Sequence, residues 1–175
     1  MPDDNKIENE IEVAKVQLER VLGFFASVDS KASVALGVNV AMLGLLAANA
    51  PSAKLLNPWD LFSIPPVGLI GISLFNLYQC SFPRLEGGKA SLVYFREIAD
   101  RTEAKYIEEF RAESGDQHLK DLLGQVWQNS KILRQRYELL RKSLIFLAWG
   151  TVTWTICLAI FAAQNKAATS LLTVK

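Results

Sequence analysis

A run of 17 residues without a charged side chain, from Ala32 to Ala48, is the feature that most constrains how this chain can fold. As a helix it would be about 25 Å long, the lower limit for crossing the hydrocarbon core of a bilayer. Two more apolar segments, at residues 66–82 and 143–163, are of the same kind, and the last would reach about 31 Å as a helix. A single buried helix of a soluble protein would not explain three such segments. We therefore predict an all-α membrane protein with three transmembrane helices.

The charged residues are separated from these apolar segments. Half of the 175 residues are hydrophobic, and the formal net charge is only +1. The charges are concentrated in residues 1–31 and 84–142, a segregation that is typical of membrane proteins rather than of globular ones. A nearly neutral chain has no general attraction for nucleic acid polymers, so we expect the lipid bilayer, and no nucleic acid polymer, as a partner.

An amphipathic helix precedes the first apolar segment. Its apolar residues recur at alternating spacings of four and three, which is typical of a narrow seam with coiled-coil packing. The seam continues into the first apolar segment without a break, so we predict one helix from Lys6 to Ala48. We expect the seam to pack on the protein's own cytosolic helices, with self-association as the alternative. It consists of Ile7, Ile11, Ala14, Leu18, Val21, Phe25, Val28 and Ala32.

The segment between the second and third apolar segments predicts two further helices. The first extends from Lys89 to Glu113, and a break at residues 114–116 separates it from the second, which continues into the third apolar segment. With the N-terminal helix they would form a small cytosolic bundle. The expected apolar face of the first is Leu92, Phe95, Ala99, Tyr106 and Phe110; that of the second is Leu119, Leu123, Val126, Ser130, Leu133, Tyr137, Leu140 and Leu144.

The distribution of lysine and arginine predicts the orientation in the membrane. Of the 19 basic residues, 16 lie in residues 1–31 and 83–142, whereas the other side has only Lys54, Lys166 and Lys175. Because basic loops stay in the cytoplasm, we expect a cytoplasmic N-terminus. The predicted order is a cytosolic amphipathic helix (1–31), transmembrane helix 1 (32–48), an extracytoplasmic loop (49–65), transmembrane helix 2 (66–82), a cytosolic helical hairpin (83–142), transmembrane helix 3 (143–163) and an extracytoplasmic tail (164–175).

The sequence has no signature of an enzyme. It contains no Gly-rich phosphate loop and no Gly-x-Ser-x-Gly motif. His118 is the only histidine, and the two cysteines, Cys80 and Cys157, lie at different predicted depths, so neither a metal site nor a disulfide between them is expected. We therefore predict a protein without catalytic residues, metal or cofactor.

Two asparagines lie near the middle of predicted membrane helices. Asn39 is in the first and Asn76 is in the second. An amide in hydrocarbon is costly, so both should face protein or water. We favour a hydrogen bond between Asn39 and Asn76 that holds the two helices together; the alternative is a water-lined path in an oligomer. Close helix approach is expected along a stripe of small residues, Ser33, Gly37 and Ala41.

Asp29 and Lys31 mark the first boundary between water and lipid. They are two residues apart, so on a helix they point in different directions and cannot pair well with each other. Interfacial anchoring is the usual role of such a lysine. The functional alternative is a switch at the junction of bundle and membrane. At the same depth, Arg84, Arg141 and Lys142 could meet Asp29, and Glu86 or Glu138 could meet Lys31.

A short aromatic and basic segment, Tyr94-Phe95-Arg96, has groups that could stack on a base and neutralise a phosphate. Lys131 and Arg134 on the following helix add positive charge. Aromatic residues at helical spacing are more often part of a core, and that alternative is favoured on this pattern alone.

Several of these features together resemble the transmembrane effectors of bacterial Pycsar antiphage defence. The features are the segment Asp29-Ser30-Lys31-Ala32-Ser33 at the start of the first span, the pair Tyr94-Phe95 followed by Ile98-Ala99, and the pair Arg136-Tyr137 before the last span. The resemblance covers nearly the whole chain. Asp29, Lys31 and Ala32, and Tyr94 with Phe95, occupy positions of the family pattern, whereas Arg96 stands where a small residue is expected.

The resemblance implies a function that the periodicity does not. In that family a partner cyclase makes cyclic UMP or cyclic CMP on infection, and the effector impairs the bacterial inner membrane, which causes growth arrest or cell death. It implies the inner membrane as the location and cyclic UMP or cyclic CMP as the ligand; we also expect a homo-oligomer. The alternative function is a non-catalytic membrane scaffold, or an accessory subunit of an envelope complex.

Overall fold

The structure is a computed structural model that describes residues 2–50, 58–82 and 90–173. All regular secondary structure in these ranges is helical, and three helices are long and apolar enough to cross a membrane. This confirms the predicted all-α class with three helices able to span a membrane. Some predicted features lie outside the described residues. They are the centre of the predicted loop at 49–65, which includes Lys54; the predicted boundary residues Arg84 and Glu86; Lys89, the predicted start of a helix; and Lys175.

The described elements are five α-helices and one 3-10 helix. The first helix, α1, spans Pro2–Asn49 without a break. The last helix, α5, spans Gly115–Thr173 without a break. Both confirm the prediction that a long amphipathic helix continues directly into a membrane segment. The backbone of α5 is also helical beyond Gln164, where a polar tail was expected. Between them lie a 3-10 helix at Pro58–Ser63, then α2 (Ile64–Ser81), α3 (Phe95–Ala99) and α4 (Glu103–Ala112).

Two prolines determine where α2 begins. Pro65 and Pro66 lie in its first turn, where a missing amide hydrogen costs nothing because the first amides of a helix have no intrahelical partner. The helix ends at Ser81, and Phe82 is extended. These limits agree with the second apolar segment of the sequence.

The prediction of one helix from Lys89 to Glu113 is wrong. The described part of that segment contains a turn, then the short α3, then α4. Thr102 has an extended backbone, and its hydroxyl oxygen accepts the amide hydrogen of Lys105 at 3.4 Å, which starts α4 as a new helix. Phe95 and Phe110, expected on a buried face, are 64% and 49% exposed.

The described chain divides into two compact units. The first unit consists of Met1–Val28 and Pro83–Arg136. The second unit consists of Asp29–Phe82 and Tyr137–Lys175, and contains the apolar parts of the three long helices.

In the first unit, the predicted seam of α1 is the contact face. Ala14, Val21 and Val28 are buried, and the other seam residues of this unit are partly buried. Ile7 lies against the first residue of α5, since a Cβ added at Gly115 would come within 3.1 Å of its side chain.

The same two helices meet again further along. The Arg136 guanidinium of α5 lies 5.5 Å from the ring centroid of Phe25 on α1. Residues early in α1 thus meet residues early in α5, and later residues meet later ones. The two helices therefore run parallel in this unit.

The predicted seam of α5 is only partly correct. Leu133 and Leu140 are buried as expected, but Leu123 and Leu144 are exposed. In the first unit the buried face instead includes Leu122 and Gln125. The shift follows from polar contacts between this face and the loop before α3, which a pattern of leucines does not reveal.

In the second unit, the three long helices alternate in direction. Met42 of α1 contacts α5 at Trp154, whose indole nitrogen donates to the Met42 carbonyl oxygen at 2.9 Å. Earlier on both helices, the Lys31 ammonium lies 5.9 Å from the Tyr137 ring centroid, so α1 and α5 are parallel here too.

The middle helix of the second unit runs the other way. Ile70 of α2 lies against Gly150 of α5, whereas the later Ser73 meets the earlier Ser143. Hence α2 is antiparallel to α5, as three successive membrane crossings require. The apolar cluster in this unit contains Leu46, Cys157 and Phe161. Cys80 and Cys157 are both buried free thiols.

Candidate functional site

The loop before α3 is fixed by one buried hydroxyl, that of Ser91. It donates to the Asp121 carboxylate at 2.9 Å, and its oxygen accepts from the Tyr94 amide at 2.9 Å. The Gln125 side-chain amide also donates to it, at 3.1 Å. The Leu92 amide donates to the same Asp121 oxygen at 2.8 Å. The start of α3 is therefore tied to α5, which determines where Tyr94 lies.

A mostly buried arginine ties the other end of this segment back to its beginning. Arg101 forms an ion pair with Glu109, with 2.7 Å between Nε and Oε2. Its guanidinium also donates to the carbonyl oxygens of Ala90 at 2.9 Å, of Ser91 at 3.1 Å, and of Glu97. Sequence reasoning missed this network, because neither spacing nor composition distinguishes Arg101 from a surface arginine.

An open cleft of about 910 Å³ lies beside this network. Three of its charged lining residues are basic, and five are acidic. Arg101 is already engaged by Glu109, so the excess of acids makes this cleft a poor place for an anionic phosphate. The charged lining residues are Glu97, Asp100, Arg101, Lys105, Glu109, Glu113, Lys120 and Asp121.

The predicted ligand residues lie elsewhere on the surface of the first unit. Phe95 is exposed and Tyr94 partly so, and their rings meet edge to face with 5.0 Å between centroids. Arg96, Lys131 and Arg134 are exposed. The sequence pattern favoured a role in the core for these aromatic residues over ligand binding. For Phe95 that interpretation is wrong, because its side chain is exposed.

One aromatic residue beside the predicted ligand residues was missed. The Lys131 ammonium lies 4.3 Å from the ring centroid of Trp127, one turn earlier on α5. Trp127 is 62% exposed. The spacing of four between them on a helix was the signal that could have identified this pair. Together they offer a second exposed aromatic surface with a cation beside it.

The described residues that were predicted to mark the water–lipid boundary lie on the two parallel helices of the second unit. Asp29 and Lys31 on α1 are both exposed, as are Arg141 and Lys142 on α5. The observed aromatic partner of Lys31, Tyr137, was not among the partners expected for it. A lysine that covers an aromatic ring at a boundary agrees with the anchoring interpretation.

The predicted hydrogen bond between Asn39 and Asn76 is wrong. The Asn39 amide nitrogen donates to the Ser73 hydroxyl at 3.1 Å and to the Ala35 carbonyl oxygen at 2.8 Å. Asn76 is partly exposed, and its side chain donates to the carbonyl oxygen of Ile72 on its own helix at 2.8 Å.

A serine of each neighbouring helix completes the polar contact at Asn39. Ser73 donates to the carbonyl oxygen of Ser143 at 3.1 Å, and the two hydroxyl oxygens are 2.9 Å apart. The contact therefore joins all three helices of the second unit. The side-chain oxygen of Asn39, which is fully buried, has no hydrogen-bond partner among the described residues.

The stripe of small residues on α1 does not make a close helix approach within the described chain. Ser33, Gly37 and Ala41 are exposed, and the space beside Gly37 is open. The close approach in this unit occurs at Gly150, where an added Cβ would lie 3.4 Å from Ile70.

The described residues contain no group of three or more histidine, cysteine, aspartate or glutamate side chains placed to hold a metal ion. The features that remain are two separate pairs with aromatic rings in the first unit, Tyr94 with Phe95 and Trp127 with Lys131, and the polar contact of Asn39, Ser73 and Ser143 in the second unit.

Comparison with known proteins identifies a family for this chain. The profile of the Pycsar effector protein domain matches residues 13–163, which include all three apolar segments and every predicted site residue. No curated protein and no solved structure matches the chain. The matched range covers far more than half of the 175 residues. With its three long apolar helices, this multi-pass membrane protein acts in antiphage defence and belongs to the family of Pycsar effector proteins.

Proposed function

We propose that the protein responds to a cyclic pyrimidine nucleotide, cyclic UMP or cyclic CMP, by impairing the integrity of the bacterial inner membrane. The nucleotide is made by a partner cyclase, and the result is growth arrest or cell death. The observation that carries the proposal is the family match over residues 13–163 in a chain with three helices able to span a membrane. The protein itself performs no catalysis in this scheme.

The nucleotide binds, in this proposal, at the aromatic pair Tyr94 and Phe95 of the first unit. Phe95 and Tyr94 supply a stacking surface for the pyrimidine base. Two observations support this choice over the nearby cleft. First, Phe95 is 64% exposed and follows a loop whose backbone is held by hydrogen bonds, so a pyrimidine base can cover its ring. Second, the lining of the cleft has more acidic than basic side chains. The cations that would neutralise the phosphate are Arg96, Lys131 and Arg134.

The signal reaches the membrane, in this proposal, through α1 and α5. Each helix contributes to both units and has no break where one unit ends and the other begins. A ligand shifts a closed–open equilibrium only through its preference for one state; a change from 1:99 to 99:1 takes about 5.5 kcal/mol of preference. Asn39, with Ser73 and Ser143, is the contact whose loss would let the membrane helices separate.

The N-terminus is cytoplasmic in this proposal, as the distribution of lysine and arginine predicts.

We further propose that several copies of the protein act together. The helix contacts in the second unit are largely apolar, with Ile70 and Phe161 fully covered, which offers little to a path for water or ions. Such a path would form more easily between copies, and several bound nucleotides would supply the required preference together. Chemical cross-linking in native membranes, with and without nucleotide, tests the assembly.

Binding to the purified protein tests the ligand and the site together. We expect calorimetry to detect cyclic UMP or cyclic CMP, and not cyclic AMP, with the nucleotide recovered unchanged. Phe95→Ala should weaken binding about tenfold, because stacking of one base on an aromatic ring is worth about 1–3 kcal/mol. The matched control is Phe110→Ala, which also truncates an exposed phenylalanine of the first unit.

Two results of that experiment would contradict the proposal. Absence of binding to either pyrimidine nucleotide would favour the scaffold function. If Phe95→Ala and the unmodified protein bound the nucleotide with equal affinity, Tyr94 and Phe95 would not be part of the binding site. The proposal that the ligand is a cyclic pyrimidine nucleotide would still hold.

A further inference from the structure

An apolar groove with a basic rim lies in the second unit, where the charged part of the sequence gives way to the apolar part. Its volume is about 350 Å³. Leu144 and Ile145 border it and are 43% and 46% exposed. These two leave part of their apolar surface uncovered by the chain. The groove is lined by Lys31, Tyr137, Leu140, Arg141, Leu144, Ile145 and Ala148.

The rim of the groove carries two cations and no carboxylate. Lys31 comes from α1 and Arg141 from α5, and neither side chain is buried. The Lys31 ammonium lies over the Tyr137 ring, 5.9 Å from its centroid, which holds the charge at the edge of the groove. The carboxylates nearest in sequence, Asp29 and Glu138, do not line it.

The apolar wall continues from the rim in one direction. Arg141 and Ala148 are separated by seven residues of α5, so the wall extends about 10 Å along the helix axis from the cation. An anion at the rim would therefore have hydrocarbon beside it, on the side where the sequence becomes apolar. A ligand that fits must combine a negative charge with an attached apolar chain.

We propose that this groove binds one anionic phospholipid of the surrounding bilayer. Its phosphate lies between Lys31 and Arg141, and one acyl chain lies along Leu144, Ile145 and Ala148. A free phosphate or a cyclic nucleotide would satisfy the rim but leave the apolar wall uncovered. Basic pockets between membrane helices are a known way to hold anionic headgroups, and each cation near the membrane surface contributes about 1 kcal/mol. The lipid contacts both α1 and α5, so it links the two parallel helices.

Native mass spectrometry of the full chain in an uncharged detergent tests this directly, with phosphatidylglycerol and phosphatidylcholine as probes. We expect one phosphatidylglycerol to be retained and phosphatidylcholine to bind at least tenfold more weakly. Lys31→Gln and Arg141→Gln should each weaken phosphatidylglycerol binding about fivefold, and the double variant about 25-fold. The reciprocal variant Lys31→Arg with Arg141→Lys should retain the lipid, which separates loss of charge from misfolding.

The matched control is Lys142→Gln, which removes the adjacent exposed cation outside the groove and should leave retention unchanged. Equal retention of both lipids would overturn the proposal, as would an equal loss for Lys142→Gln and Arg141→Gln. Glycerol phosphate and cyclic UMP, added as competitors, should not displace the lipid. Displacement by glycerol phosphate would show that the acyl chain contributes nothing, and displacement by cyclic UMP would assign the groove to the nucleotide.

Discussion

Asn39 illustrates how much a single side chain depends on its neighbours in a membrane protein. Its amide nitrogen has two acceptors, while its oxygen is buried without a donor among the described residues. An unmatched buried acceptor costs about 1–3 kcal/mol, so separating the helices would recover part of that cost once water reached the oxygen. The sequence predicted a polar contact between helices at this residue. It did not predict the partner, because that depends on how the antiparallel α2 is positioned along α1.

Replacing Ser73 by alanine tests the contact among the three membrane helices. The change removes one of the two acceptors of the Asn39 amide nitrogen and the partner of the Ser143 hydroxyl, and leaves the bond to the Ala35 carbonyl oxygen. We expect a loss of about 1–2 kcal/mol of stability, as polar contacts between membrane helices typically contribute. Thermal unfolding of the purified protein in detergent measures it. Asn76→Ala is the control, since that side chain bonds within its own helix; an equal loss for the two variants would contradict a special role for Ser73.

At the scale of helices, the sequence predicted those with a long apolar repeat and failed where short polar contacts decide. The continuous α1 and α5 follow from seams that extend into apolar segments. The division into α3 and α4 depends on Thr102 as a helix start and on Arg101 folding back to Ala90. These polar contacts join residues whose interaction cannot be predicted from the spacing of apolar residues.

The position of the buried face on α5 has the same origin. Leucines at 122 and 123 are adjacent, so the pattern allows either to face inward. Leu122 is the buried one because Asp121 and Gln125, on the same side, bind Ser91. The candidate ligand residues show the same limit: the sequence led to the prediction of Tyr94 and Phe95 but did not reveal the hydrogen-bond network that holds the loop before them.

Asp121→Ala should therefore release the loop before α3. The Leu92 amide and the Ser91 hydroxyl would lose their charged acceptor, which costs about 1–3 kcal/mol for a buried group. Hydrogen exchange at residues 91–94 should rise by at least tenfold, while exchange in the middle of α5 stays slow. Glu108→Ala, at an exposed position of α4, is the control. Unchanged exchange in the loop would show that Asp121 does not hold it.

At the scale of the whole molecule, the alternation of charged and apolar segments was sufficient to predict three membrane helices. The contacts in the second unit agree with three crossings, since α1 and α5 are parallel and α2 is antiparallel. Which side faces the cytoplasm does not follow from helix packing. It depends on the lysine and arginine counts, which record how the chain is inserted.

Reporter fusions test this orientation. A phosphatase active only outside the cytoplasm, fused after Lys54 or after Lys175, should be active at both positions. A fusion after Lys120, in the segment predicted to be cytoplasmic, should be inactive. Activity at Lys120, or inactivity at either of the other two, would reverse or break the predicted topology.

The most direct test of the proposed function is dye release from vesicles that contain the protein. Vesicles of phosphatidylcholine and phosphatidylglycerol, loaded with a self-quenched dye, should remain intact without nucleotide, because an effector that was always open would kill its host. Cyclic UMP or cyclic CMP should cause release, cyclic AMP should not, and Phe95→Ala should require about tenfold more nucleotide. Equal leakage with and without either pyrimidine nucleotide would contradict a nucleotide-controlled membrane effector.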